Sequence, residues 1–185
     1  MNRFIKIKGV QVIPKILQNV REQLIDEARR QIAKSGYKKT TIRSVANGCG
    51  FGVGTVYNYF KSKEMLIASF VADDWASCLE FMRNVKSNDP KEILRSIHTT
   101  LTEFSNKHLA LFSDRDASKV FATVFNERHR QLRGQIAEII LPVCEKSKVE
   151  NRIFLSEFIA ESILVWTMAG KPFDEQYEIL SQLLK

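Results

Sequence analysis

No apolar run in this chain approaches the ~20 residues that would cross a bilayer. The most apolar stretch, residues 153–169, is interrupted by Glu157, Glu161 and Ser162. Residues 1–25 mix Arg3, Lys6, Lys8, Lys15 and Arg21 among their apolar positions. They lack the compact hydrophobic core and small-residue cleavage site of a secretory signal, so a cytoplasmic location is expected. Cysteine is scarce: Cys49, Cys78 and Cys144 are odd in number and widely separated. That spacing excludes a disulfide framework and a CxxC metal knuckle, and predicts buried free thiols in a reducing compartment. The three histidines, His98, His108 and His129, are too scattered to form a metal cluster by spacing. No HExxH or paired-carboxylate arrangement accompanies them. A P-loop, a nucleophile elbow and a dinucleotide-binding strand–glycine–helix pattern are also missing. The sequence therefore predicts no catalytic residues, no metal, no cofactor and no enzyme activity.

What remains is an ordinary globular composition with an uneven charge. The chain has 185 residues, of which 44% are hydrophobic. That length buries one substantial core with room for a small satellite domain. Residues 1–64 hold 13 Lys and Arg against 4 Asp and Glu, whereas the remainder holds 15 against 17. A basic head on a slightly acidic body places a polyanion-binding surface in one domain.

Helical periodicity dominates. Asn19, with Glu22 three residues on, is expected to cap a first helix whose Val20, Leu24, Ala28 and Ile32 form an apolar stripe ending at Gly36. Pro14 offers a competing, earlier start. Thr41 is expected to cap a second helix over residues 42–47. A turn built on Gly48, Cys49 and Gly50 follows, with Phe51 pinning it to the core, and a third helix covers residues 52–60. Ser62 caps a fourth helix reaching Arg83, and Asp89-Pro90-Lys91-Glu92 is a strong start for a fifth. Further helices are expected over residues 117–130, 135–144, 151–169 and 174–184, with bends or breaks at Gly134, Pro142 and Gly170-Lys171-Pro172.

The stretch TTIRSVANGCGFGVGTVYNYFKSKEML, residues 40–66, has the form of two short helices across a glycine turn. A helix read by the DNA major groove must expose one side and pack the other on a supporting helix. Ile42, Val45, Ala46, Val56 and Phe60, with Leu24 and Ala28, are assigned to the packed side. Val53, Thr55 and Asn58 are assigned to base edges: Asn58 can pair two ways with adenine, and Thr55 or Val53 can pack on a thymine methyl. Lys39, Thr41, Arg43, Tyr57, Lys61 and Lys63 are assigned to phosphates, which position a protein without reading sequence.

At these residues the chain resembles the TetR family of bacterial transcriptional regulators. The resemblance rests on Gly36-Tyr37, on T-x-x-x-V-A at Thr41, Val45 and Ala46, and on the run from Gly50 to Leu66. It covers roughly residues 20–66. The family usually has serine where Gly52 stands and alanine at Cys49. The resemblance implies an all-α fold: an amino-terminal three-helix helix-turn-helix DNA-binding domain joined to a carboxy-terminal helical dimerisation and regulatory domain. The implied divisions are a basic leader at 1–18, the DNA-binding domain at 19–66 and an effector-binding and dimerisation domain at 67–185. Members typically repress transcription as homodimers and release a palindromic operator when a small ligand or partner acts on the larger domain.

Two late amphipathic helices suit a homodimer interface through Phe154, Phe158, Ile159, Trp166, Tyr177, Leu180 and Leu184. Trp75, Phe104, Phe121, Phe125 and Trp166 are the expected lining of a pocket for a small apolar or amphipathic effector. The leader, with Arg3, Lys6, Lys8 and Lys15, reads either as an arm along DNA or as a segment packed on the body. A ligand-independent or partner-regulated factor is the alternative function; an enzyme or a protein-interaction adaptor fits the glycine–aromatic–lysine pattern less well.

Overall fold

The structure is a computed structural model that describes residues 19–185, apart from the side chains of residues 120–127. The leader, and with it the arm reading and the start at Pro14, lies outside the described residues. Among those described, the secondary structure is entirely helical: α1 (Val20–Lys39), α2 (Ile42–Cys49), α3 (Val53–Tyr59), α4 (Lys63–Arg83), α5 (Pro90–Lys107), α6 (Leu109–Phe112), α7 (Arg115–Ile140), α8 (Arg152–Met168) and α9 (Phe173–Leu183). A 3₁₀ segment, Leu141–Lys146, carries Pro142 between α7 and α8. No helix among the described residues is long and apolar enough to cross a membrane.

Local chemistry sets most of these boundaries. Ser62 accepts a hydrogen bond from the Met65 backbone N–H at the start of α4. Asp89 accepts from the Lys91 N–H at the start of α5, which also has proline in its first turn. Asn151 accepts from the Phe154 N–H at the start of α8. Each cap satisfies a donor that the first helical turn leaves open. Gly36 interrupts α1 at φ 80° and ψ 169°, a conformation open to glycine but strained for other residues.

Two expectations need correction, and one short helix was not foreseen. Asn19 takes a left-handed conformation, φ 60° and ψ 36°, and its side chain makes no capping hydrogen bond, so there is no capping box with Glu22. The helices expected over 117–130 and 135–144 are one continuous helix, α7, which passes through Gly134. Glycine inside a helix costs about 1 kcal/mol, which packing of α7 along α4 and α8 outweighs. The short helix α6 had no periodic signal, being only one turn long.

Two apolar cores share α4. The first gathers Val20, Leu24, Ala28 and Ile32 of α1, Ile42, Val45 and Ala46 of α2, Val56 of α3, Phe60, and Leu66, Ile67 and Phe70 of α4. Leu111 of α6 and Ala117 of α7 close it from the other side. The second core is built on Trp75, Leu79 and Met82 of α4 with Leu94, Ile97, Leu101 and Phe104 of α5, Ile136 and Ile140 of α7, and Leu155, Ile159 and Ile163 of α8. Helix α4 thus runs unbroken through residue 66, and the amino-terminal unit and the body are joined by a helix that belongs to both. Of the thiols, Cys144 is buried and burial pushes its pKa up to about 11. Cys49 and Cys78 are only half-buried, which corrects their expected burial.

Candidate nucleic-acid interface

Helix α2 is held at its start by a reciprocal cap. The Thr41 hydroxyl accepts from the Ser44 N–H at 3.0 Å, and the Thr41 N–H donates to the Ser44 hydroxyl at 2.9 Å. Its end is closed by Gly50 at φ 71°, whose N–H reaches the Ala46 and Asn47 carbonyls. The Phe51 N–H donates to Ala46 O at 2.8 Å, and Phe51 packs on the amino-terminal core as expected. These bonds turn the chain sharply into α3. Val56 is fully buried against α2, whereas Asn58 and Tyr57 are exposed. Nothing lies within 4 Å of where a β-carbon would stand on Gly52 or Gly54, so this edge of α3 faces open space. The packed side assigned from sequence is buried in one core throughout: Leu24, Ala28, Ile42, Val45, Ala46, Val56 and Phe60.

The outer side is less uniform. Asn58 is fully available. Thr55 and Val53 are half-buried, and Val53 leans on the core beneath, which restricts it to a partial contact with any base. Beside α3 runs an open depression lined by Thr41, Arg43, Val53, Tyr57, Lys61 and Lys63, which brings together five of the six residues assigned to phosphates. Lys39 is exposed in the last turn of α1, outside that depression.

Lys63 is a correction. Its ammonium donates to the Tyr37 carbonyl at 3.1 Å and sits 3.5 Å above the Tyr37 ring. Burial also draws its pKa below the ordinary lysine value. The cation is committed to holding α4 against the end of α1. The Tyr37 hydroxyl completes that joint by donating to Glu64 at 2.9 Å; burial, then Glu64, raise the phenol pKa well above its ordinary value. The signal for this joint was present in the spacing of Tyr37 and Lys63-Glu64, but either lysine of the Lys61/Lys63 pair could have faced outward.

In the body, a cavity of about 250 Å³ opens between α4, α5, α6 and α7. Trp75 and Phe104 line it, with Val71, Leu111 and Phe112 adding apolar wall. Arg128, Gln131 and Gln135 supply a polar side, and Gln135 accepts from the Trp75 indole N–H at 2.8 Å. Trp166 does not line this cavity; it is 52% exposed on α8. Phe121 and Phe125 fall among the side chains outside the description.

Trp166 is exposed on α8, as are Ile153, Phe154, Phe158 and Val165; of these, Phe154, Phe158 and Val165 share one side of the helix, an exposed apolar face. Ile159 and Leu180, assigned to a dimer interface from sequence, are buried in the body core and cannot form such a surface. The helical register explains the error: Ile159 follows Phe158 by one residue and so lies about 100° around α8. Tyr177 and Leu184 are half-buried against the same core. Among the described residues no group of three His, Cys, Asp or Glu is placed to hold a metal ion.

Comparison with known proteins bears on the whole arrangement. The family model of bacterial regulatory proteins of the tetR family matches residues 24–70. The HTH-type transcriptional regulator YerO of Bacillus subtilis is 34% identical over 79 residues, 40% of this chain and 27% of that protein. The fatty acid metabolism regulator protein of the same organism is 29% identical over 119 residues, 64% of this chain and 59% of its own length. The matched stretch therefore spans less than two thirds of either relative. Among solved structures, the fatty acid degradation regulator FadR of Bacillus halodurans superposes with a TM-score of 0.61 at 20% identity, covering 89% of this chain and 93% of that one. FadR of Thermus thermophilus, solved in complex with lauroyl-CoA, gives 0.58 at 23% identity, covering 89% and 92%. The solved structures share the all-helical fold, and the matched residues are those that build α1 to α3 and the first turns of α4. The match to the tetR family model covers the amino-terminal unit, residues 24–70, and the solved structures share the fold of the rest.

Proposed function

We propose that the protein is a homodimeric transcriptional repressor that binds a palindromic operator and releases it when a small amphipathic ligand occupies the body. The observation that carries the DNA-binding part is the depression lined by Thr41, Arg43, Tyr57 and Lys61 beside α3, the helix on which Asn58 is exposed. Hydroxyls and cations at the rim suit phosphate oxygens, and an outward amide on α3 suits a base edge. Two such helices, related by a twofold axis, would meet successive major grooves about 34–36 Å apart. The apolar face on α8 is the surface that twofold axis would cover, because exposed apolar patches of this kind mark association sites.

Ligand control is supported by the cavity, whose apolar walls and Arg128-Gln131-Gln135 side match a hydrophobic chain with an anionic or polar head. A fatty acyl compound has that chemistry, and two of the similar proteins are named for fatty acid metabolism and degradation. By linkage, a ligand that weakens operator binding must itself be bound less well by the DNA complex.

Selection of bound sequences from a random duplex pool tests the first part. Asn58→Ala is expected to change the selected sequence, whereas Lys61→Ala weakens most sequences alike and lowers the salt slope by about one contact. The reverse outcome would overturn both roles. Titration of the selected duplex with and without lauroyl-CoA tests the second part, and equal affinities would exclude that compound.

A further inference from the structure

One acidic side chain on α4 falls where the two cores meet. Phe70 belongs to the amino-terminal core and Trp75 to the body core, and Asp74, one turn after Phe70, is only 9% exposed. A carboxylate this deep needs charged or hydrogen-bonding partners. Three supply them. Arg29 of α1 donates to Asp74 Oδ1 at 2.7 Å and lies 5.0 Å from the centre of the Phe70 ring. Lys107, at the end of α5, donates to the same oxygen at 3.0 Å. His108, at the junction of α5 and α6, sets its Nε2 3.1 Å from Oδ2. Burial alone would raise the Asp74 pKa, but Arg29 and Lys107 outweigh it and keep the carboxyl below its ordinary value.

The approach of His108 is close but out of line, and neither Asp74 Oδ2 nor His108 Nε2 makes a hydrogen bond among the described residues. A small turn of the ring decides whether that bond forms. The ring's position is set by its neighbours: its centroid lies 4.7 Å from that of Phe104, 5.7 Å from Phe112 and 6.0 Å from Phe70. Phe104 and Phe112 also form the wall of the body cavity. Cavity, aromatic layer, carboxylate and α1 are thus in direct succession.

We propose that Asp74, with Arg29 and His108, is the latch through which the contents of the body cavity set the position of α1 and hence of the DNA-binding unit. A group entering the cavity displaces Phe104 or Phe112, the His108 ring turns, and the hold of Asp74 on Arg29 changes. Asp74 and Arg29 are positioning residues, remote from DNA and from the cavity contents. The inference deepens the ligand-controlled reading and rests on the cavity that supports it.

The latch can be tested on the full chain without operator or ligand. Ala72 lines the cavity, so Ala72→Phe places a ring inside it as a fixed stand-in for an occupant. Amide hydrogen exchange over residues 24–32 of α1 is the readout. With Asp74 present, filling the cavity should change that exchange by about tenfold. In the Asp74→Asn background the same substitution should change it by less than about twofold, and likewise in Arg29→Met, which keeps an apolar stem on Phe70. Should Asp74→Asn fail to fold, Arg29→Met carries the test. No response to Ala72→Phe, or an equal response with and without the latch residues, would overturn the proposal. Either result leaves the DNA-binding reading standing, since that is decided separately by duplex selection.

Discussion

The two cores that share α4 are packed to different ends. In the amino-terminal unit, Leu24, Ala28, Val45, Ala46 and Val56 are each completely buried, and small side chains let α2 and α3 approach closely. If α3 presents Asn58 to a groove, as proposed, it needs a support that does not yield. The body core contains equally buried residues, among them Leu94, Ile136 and Ile163, yet it surrounds a cavity of about 250 Å³ and leaves Phe154, Phe158 and Trp166 uncovered on α8. A cavity forgoes packing contacts, and a large exposed apolar patch marks an association site. The difference teaches that close packing is concentrated under α2 and α3, whereas the body combines a close-packed core with a cavity and an exposed apolar surface.

The sharpest way to break this contrast is to change volume in each core. Leu24→Ala removes about three heavy atoms' worth of contacts from a site with no exposure, and should cost about 2–5 kcal/mol in urea unfolding. Ala72→Phe adds a ring to the body, but into existing space, and should cost less than about 1.5 kcal/mol. If the added ring destabilises as much as the truncation, the cavity is not a space the fold tolerates being filled, and the comparison fails.

The same contrast explains what was legible in the sequence. The amino-terminal unit could be read closely because its geometry is local: Gly36 at φ 80°, Gly50 at φ 71° and the Thr41 cap each demand a particular residue type at a particular spacing. What the sequence did not show is that Lys63, half-buried, donates to the Tyr37 carbonyl, a contact made across 26 positions of chain. The body could be read as helices but not as surfaces. Periodicity places Phe158 and Ile159 on one apolar helix, yet only the packing of α7 on α8 decides that Ile159 is covered and Phe158 is not. Continuity of α7 through Gly134 is likewise a tertiary effect, invisible to local propensity. Asp74 did leave a trace, since it follows Phe70 by four positions on the buried side of α4, but its partners come from α1 and α5.

The uncovered face gives the next largest effect. Phe158 is 49% exposed and Phe154 61% exposed, with ring centroids 6.5 Å apart. If a second copy covers them, Phe158→Glu places an uncompensated charge in the interface and should weaken dimerisation by about 2 kcal/mol or more. Sedimentation should then show monomer where the unmodified chain is dimeric, with the helical circular dichroism signal retained. Unchanged sedimentation would move the interface elsewhere and remove the explanation for this apolar face.

The smallest effect should appear at the seam between the cores. Burial lowers the His108 pKa below its ordinary 6.5, opposed by the charge of Asp74 and reinforced by Lys107 and Arg29. Above that value the imidazole is neutral in folded and unfolded chains alike and contributes no pH dependence. As pH falls below 6.5, the unfolded chain binds a proton that the folded chain refuses, so stability declines until the folded pKa is passed, with a slope of at most about 1.4 kcal/mol per pH unit. Asp74 acts in a separate window: its contribution is complete above its ordinary 3.8 and is lost as acid titrates the folded carboxyl below that value. Urea midpoints measured from pH 8 down to pH 4.5, a range of about three and a half units that stays above the Asp74 window, should therefore isolate the imidazole. His108→Gln should flatten the decline below 6.5. A decline that persists unchanged in the variant would mean that the seam between the two cores is not where this protein's stability meets the proton.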